Sequence, residues 1–238
     1  MSAPYGLEIV EHCASCQWKS AGFFCQLAPQ AMRDFEEVKY TSSYPSNAVL
    51  FVESQVPRGV YLLCKGRVKL TMTSPDGKAI ILHIAEPGEL IGLNSAISGA
   101  PYELSAETLE PCQVNFIKRE ALLRLIHEHP EIAEHVTHQI SRDYQSACVQ
   151  IRSLGLSRSA SEKVARFLLD AASKGKQTNQ GIRTNVALTH EEIAQVVGVS
   201  RETVTRTLSD LRQRSLITVK GPTVVIRDKA ALEAMLAA

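Results

Sequence analysis

Nowhere in the 238 residues does an uninterrupted apolar stretch approach the roughly 20 residues of a membrane-spanning helix, so no membrane partner is expected. The opening stretch MSAPYGLEIVEHC has neither the basic flank nor the apolar centre of a secretory signal, which points to the cytoplasm. No Ser–His–Asp or paired-carboxylate constellation declares itself, and an enzyme is not expected. Net charge is nearly absent too, at +1. That balance conceals an asymmetry. Residues 1–149 hold 12 Lys and Arg against 17 Asp and Glu, whereas residues 150–238 hold 14 against 8. A basic C-terminal part predicts a polyanionic partner there.

Cysteine is present and unevenly spent. Three of the six, Cys13, Cys16 and Cys25, stand within the stretch EHCASCQWKSAGFFCQL. A chain this long buries enough core to fold without disulfides, and the cytoplasm is reducing, so clustered thiols read as metal-binding or redox-active. The rival from another class is a CxxC thiol oxidoreductase, but that chemistry wants the pair at a helix start beside a βαβ unit.

Beyond the cysteines the chain turns β-rich. Over residues 35–117, apolar runs such as GVYLLCKGRVKLTMT and KAIILHIA alternate with turn signals, and SPDGKA predicts a hairpin at Asp76-Gly77. Many short strands imply a sandwich or barrel. From Arg119 to about Leu154 the period becomes helical, with a break near Pro130. Ile140, Tyr144, Ala147, Ile151 and Leu154 recur at spacings of 4, 3, 4 and 3, a narrow seam that predicts a partner helix from a second copy of the chain. Ser157 or Ser159 is expected to cap the following helix, EKVARFLLDAAS, and KGKQTNQGIRTN reads as a polar loop.

Residues 189–214, THEEIAQVVGVSRETVTRTLSDLRQR, carry the clearest motif. Thr189 and Glu192 form a capping box; Ile193, Val196 and Val197 mark a short helix; Gly198 breaks it. Ser200 caps a second helix that buries Val204, Leu208 and Leu211, which is helix-turn-helix spacing. Arg201, Glu202 and Arg206 share an exposed face near its start, the end that enters the major groove in this motif. Arg can hold a guanine through two hydrogen bonds, and Glu can accept from a cytosine amino group. LITVKGPTVVI then predicts a hairpin wing with Gly221-Pro222 at its tip.

In this order of parts, and above all in VGVSRETVTRTLSDLRQRSLI, the chain resembles the CRP/FNR family of bacterial transcription regulators. The resemblance implies an α+β architecture: an N-terminal cysteine segment (1–34), a cyclic-nucleotide-binding-type β-roll (35–130), a dimerisation helix (131–156) and a winged helix-turn-helix (157–238). It implies a homodimer on palindromic double-stranded DNA, with RNA polymerase as a further partner. Ser200, Arg201, Glu202, Thr205 and Arg206 are the expected DNA-binding residues. Arg201, Glu202 and Arg206 match the base-reading positions of the cyclic-AMP-responsive branch, implying TGTGA-like half-sites.

The sensor end matches another branch. Where cyclic-nucleotide-binding relatives place a ribose-binding Glu, this chain has Leu93, and their phosphate-binding Arg falls on Tyr102 or Glu103. The FNR branch instead holds an iron–sulfur cluster on N-terminal cysteines plus one from the β-domain. By that resemblance Cys13, Cys16, Cys25 and Cys112 are the implied ligands of a cluster, of the 4Fe–4S type, that senses oxygen, redox state or nitric oxide. Trp18, Phe23 and Phe24 would shield it, and His12 is an alternative ligand. Cys64 and Cys148 are expected to be buried packing residues. The same four thiolates would also suit a structural zinc. A regulator responding to a metabolite, haem or cyclic nucleotide, with a structural zinc or incidental cysteines, stays open.

Overall fold

The structure, a computed structural model, describes residues 4–13, 16, 23–156 and 159–237. The chain divides into two compact units, residues 1–147 and 148–238.

The first unit is built on two four-stranded antiparallel sheets. After a 3-10 turn at Phe23–Cys25 come α1 (Pro29–Val38), β1 (Lys39–Tyr44), β2 (Val49–Phe51), β3 (Gly59–Lys65), β4 (Val68–Thr73), β5 (Ala79–Ala85), β6 (Leu90–Ile91), α2 (Leu93–Ser98), β7 (Ser105–Thr108), β8 (Cys112–Lys118) and α3 (Arg119–Glu128). One sheet runs β1-β8-β3-β6 and the other β2-β7-β4-β5. The expected hairpin at Asp76-Gly77 joins β4 to β5, with Gly77 at φ 82°. The helical stretch breaks at Pro130 as expected, and α4 (Pro130–Leu156) begins there.

Strand alternation decides which side chains go where, because successive residues point to opposite faces. On β3, Leu63 faces the interior between the sheets, and so do Cys112 and Val114 on β8; they share a core with Phe51, Val68 and Ala106. Val60 and Leu62 of β3 and Ile117 of β8 face the other way. There α1, α3 and α4 cover the sheet through Phe35, Leu122, Leu125 and Ile132, all buried. Each such side chain contributes about 1.5–3 kcal/mol. Helix α1 was not expected from the sequence. Pro29 opens it, and Ala31, Met32, Phe35 and Val38 fall at helical spacing on its buried face, a signal overlooked at the edge of the stretch read as β-rich.

The second unit holds α5 (Ala160–Ser173), β9 (Lys176–Thr178), β10 (Gly181–Asn185), α6 (His190–Val197), α7 (Arg201–Gln213), β11 (Ile217–Lys220), β12 (Thr223–Ile226) and α8 (Lys229–Ala237). Ser159 caps α5, accepting from the Glu162 backbone N–H; Ser157 lies outside the described residues. The stretch read as a polar loop is instead the β9–β10 hairpin, in a sheet of order β11-β12-β10-β9. Only Thr184 of β10 is buried, so the strand gave no apolar alternation to read; its pairing with β12 makes it a strand. The wing is β11–β12, turning at Gly221-Pro222 as expected.

Candidate functional site

The helix-turn-helix is assembled as its sequence dictates. Thr189 accepts from the Glu192 N–H while Glu192 reaches back to the Thr189 N–H at 2.7 Å, closing the capping box. Gly198 ends α6 at φ 67°, and any Cβ there would stand 2.5 Å from Leu154 Cδ2. Left-handed backbone and close packing both require glycine at this turn. Ser200 starts α7 by accepting from the Thr203 N–H at 3.2 Å. Val204, Leu208 and Leu211 are buried against Ile193 and Val197, as expected.

With that face buried, Arg201, Glu202, Thr205 and Arg206 are left exposed, and they line a shallow recess with Ser209, Asp210 and Gln213. The Glu202 carboxyl is held below its ordinary pKa by its own backbone N–H and by Ser200, so it is an ionised acceptor at the start of the helix. One contributor escaped the sequence. The His190 ring lies 2.9 Å from the Thr205 hydroxyl, braced from outside the motif positions that the family resemblance covers.

The expected dimer seam is divided. Tyr144, Ala147 and Ile151 are exposed, the first and last at 71% and 69%. Ile140 is instead packed on the core beneath the first sheet, and Leu154 packs on the Gly198 turn. Val149, 60% exposed, adds to the uncovered apolar surface of α4.

The thiols are arranged differently from expectation. Residues before α1 lie on the face of β8 opposite Cys112: Val10 exchanges two hydrogen bonds with the Gln113 side chain, at 3.0 and 2.6 Å. The Cys13 N–H donates to Glu36 Oε1 at 2.5 Å, and the Cys16 N–H to the Cys13 carbonyl at 3.2 Å. Asn115 lies on this same face. Its Nδ2 is 3.3 Å from Cys64 Sγ and 3.9 Å from Cys13 Sγ, and its Oδ1 accepts from the Thr41 hydroxyl at 2.8 Å. Burial pushes the Cys64 thiol up to about 12, and the neighbouring Cys13, Cys25 and Cys16 thiols add to the rise against Lys39. Burial also raises Cys13. Cys13 and Cys64 thus flank one amide group, and Cys16 is hydrogen-bonded to the Cys13 backbone.

Cys112 does not join them. It is fully buried in the core between the sheets, where its thiol faces the carbonyls of Glu110 and Arg67 at 3.1 and 3.4 Å. A Cβ at Gly66 would meet its sulfur at 2.5 Å, so the absence of a side chain there makes the room that Cys112 fills. Burial lifts this thiol to about 11. Strand parity places Cys112, the expected fourth ligand, on the inward face of β8 with Val114, on the side of the sheet away from the N-terminal segment. Cys64, expected as packing, faces that segment, and Cys148 is exposed rather than buried. Phe24 is buried on Phe35, ring centroids 5.8 Å apart; Trp18 and the side chain of Phe23 lie outside the described residues. His12 is exposed. Among the described residues, no three His, Cys, Asp or Glu side chains converge tightly enough for a single metal ion.

The first unit also contains a cavity of about 340 Å³ between the sheets' rim and α4. Leu93, Tyr102 and Glu103 line it, as do His83, Glu89 and Asp143, but no Lys or Arg does. Tyr102 fills its place by stacking on Phe51 at 3.8 Å and donating to the Gly59 carbonyl at 2.7 Å. Gln139 of α4 closes the wall, exchanging two hydrogen bonds with Leu90 at 3.0 and 2.6 Å.

A winged helix-turn-helix with a polar, arginine-bearing recognition face, carried in one chain with a β-roll, defines a DNA-binding transcription regulator rather than an enzyme. Residues 162–235 match the Crp-like helix-turn-helix domain and residues 41–129 the cyclic nucleotide-binding domain. The chain is 30% identical, over 89% of its length and 95% of the relative's, to the CRP-like cAMP-activated global transcriptional regulator of Mycobacterium tuberculosis. It is 30% identical, over 98% of its length and 95% of the relative's, to the transcriptional activatory protein AadR of Rhodopseudomonas palustris. The structure of FixK2 from Bradyrhizobium japonicum superposes with a TM-score of 0.73 at 25% identity, covering 84% of this chain and 98% of that one. The chain belongs to the CRP/FNR family of transcription regulators. Among the described residues, no helix is long and apolar enough to cross a membrane.

Proposed function

We propose that this regulator is a cytoplasmic homodimer that binds palindromic DNA with TGTGA-like half-sites, engages RNA polymerase there, and is governed by an iron–sulfur cluster on its N-terminal thiols. The observation that carries this reading is the Cys13 sulfur on the outer face of the first sheet, 3.9 Å from Asn115 Nδ2, with the Cys16 N–H donating to the Cys13 carbonyl. Thiolates are the usual ligands of such clusters, and four the usual count. A bound cluster would supply a centre that oxygen or nitric oxide destroys. The chain's own part is to hold the segment before α1 against β8, where Val10, Cys13 and Gln113 already fasten it. With the thiolates held by a cluster, that segment would be fastened at one more point beside the core that α1 and α4 share. The exposed Tyr144, Ala147 and Ile151 would pair with a second copy, so a small change at α4 shifts the dimer equilibrium and the grip on DNA.

A second reading places an organic effector in the cavity beside α4, where Gln139 ties the helix to β6. A cyclic nucleotide suits it poorly: its phosphate would meet the carboxylates of Glu103, Glu89 and Asp143 and no fixed cation. Protein purified without air distinguishes the readings. Iron and acid-labile sulfide in equal amounts, with broad visible absorbance that air bleaches, support the cluster; zinc alone, or colourless metal-free protein that binds DNA fully, defeats it.

A further inference from the structure

We infer that Cys64, not Cys112, is the fourth thiolate of the cluster site, with Asn115 positioning it. The inference rests on the cluster reading above and adds the ligand set to it. Two independent observations carry it.

The first is parity. Along β3, Val60, Leu62 and Cys64 point to the helix-covered face, and along β8 Gln113, Asn115 and Ile117 do the same. Cys112 points to the other side of the sheet, into a sealed core. To bring its sulfur to Cys13, β8 would have to slip by one residue, and that would turn every one of its side chains to the wrong face. The second is contact. One amide group, Asn115 Nδ2, lies 3.3 Å from Cys64 Sγ and 3.9 Å from Cys13 Sγ, so the two sulfurs flank a shared donor. Asn115 is itself buried, and Thr41 fixes its orientation by donating to its carbonyl oxygen, which leaves the NH2 aimed at sulfur. An N–H donor between sulfurs favours their deprotonated, ligating form.

The test is sufficiency and necessity in full-length protein prepared without air. A Cys112→Ala/Cys148→Ala double variant leaves only the four proposed thiols. It should keep the wild-type iron and sulfide per chain and the same visible spectrum. Cys64→Ala should lose at least half of both, and Cys64→Ser should shift the spectrum, because an alkoxide replaces a thiolate. Asn115→Leu should keep iron but shift the cluster's reduction potential, a readout that simple loss of packing would not move. If the double variant melts like wild type yet holds no cluster, or if Cys64→Ala holds a full one, the ligand assignment is overturned while the cluster reading stands. Should Cys112→Ala spoil folding, Cys112→Ser replaces it in the double variant under the same criteria. Wild-type protein without iron and sulfide overturns both.

Discussion

The Thr205 hydroxyl on the exposed face of α7 is held between two partners: it donates to the Arg201 carbonyl at 3.0 Å and sits 2.9 Å from His190 Nδ1. Because the hydroxyl's single proton goes to the carbonyl, Nδ1 must carry the hydrogen of the second bond. The first turn of α6 is thereby linked to α7 at the level of the exposed Arg201, Glu202 and Arg206. Arg201 and His190 should consequently differ in effect. Arg201→Ala should weaken operator binding by about 1–3 kcal/mol, roughly 5- to 150-fold, and relax base preference at one position of each half-site. His190→Ala should weaken binding with preference intact. Competition binding on a set of single-base operator variants reads both.

The uncovered stripe on α4 predicts an oligomeric state. Tyr144 and Ile151, more than two-thirds exposed in the single chain, make no contribution to its core. A Tyr144→Glu/Ile151→Glu variant should keep its melting temperature as a monomer while its dimer dissociation constant rises at least about tenfold, since each apolar side chain buried is worth roughly 1.5–3 kcal/mol. Sedimentation velocity across a concentration series measures it.

Stability should depend on pH through His83 and Glu89, whose Nε2 and Oε2 are 2.6 Å apart. Burial pulls the His83 pKa down, but the hydrogen bond and charge of Glu89, then Asp143 and Glu86, outweigh it and leave it raised. Burial likewise opposes Glu89, yet His83, the Glu86 backbone and Arg142 hold it below its ordinary value. A raised His stabilises fully below 6.5 and loses that contribution as pH climbs through its folded pKa. A lowered Glu stabilises above 4.5 and loses it as pH falls through its own. The pair therefore helps most between these limits. Glu89→Gln should flatten the fall in thermal stability between about pH 6 and 8; the pair is partly exposed, so the change should stay near or below about 1 kcal/mol.

Legibility tracked how local each signal was. Thr189, Gly198, Ser200 and the Val204–Leu208–Leu211 face announce themselves within a few residues, and all appear where expected. The β9–β10 hairpin was missed because its only buried side chain, Thr184, is polar, and β12 supplies the pairing. Leu93 and Tyr102, read from the sequence as replacing the nucleotide-binding residues of relatives, line the cavity of the first unit. At the thiols, resemblance singled out Cys112, and strand alternation places that side chain on the inward face of β8. The cross-strand pairing of Leu62 with Asn115, which brings Cys64 onto the face of the N-terminal segment, is a long-range fact that no local window contains.

Operator affinity measured on one anaerobic preparation, before and after brief exposure to air, bears most directly on the central claim that the N-terminal thiols govern DNA binding. Wild-type protein should bind a duplex with two TGTGA-like half-sites at least about tenfold more tightly before exposure, and Cys13→Ser should bind weakly and equally in both conditions. Equal, tight binding by wild type with and without air, matched by Cys13→Ser, would contradict the account.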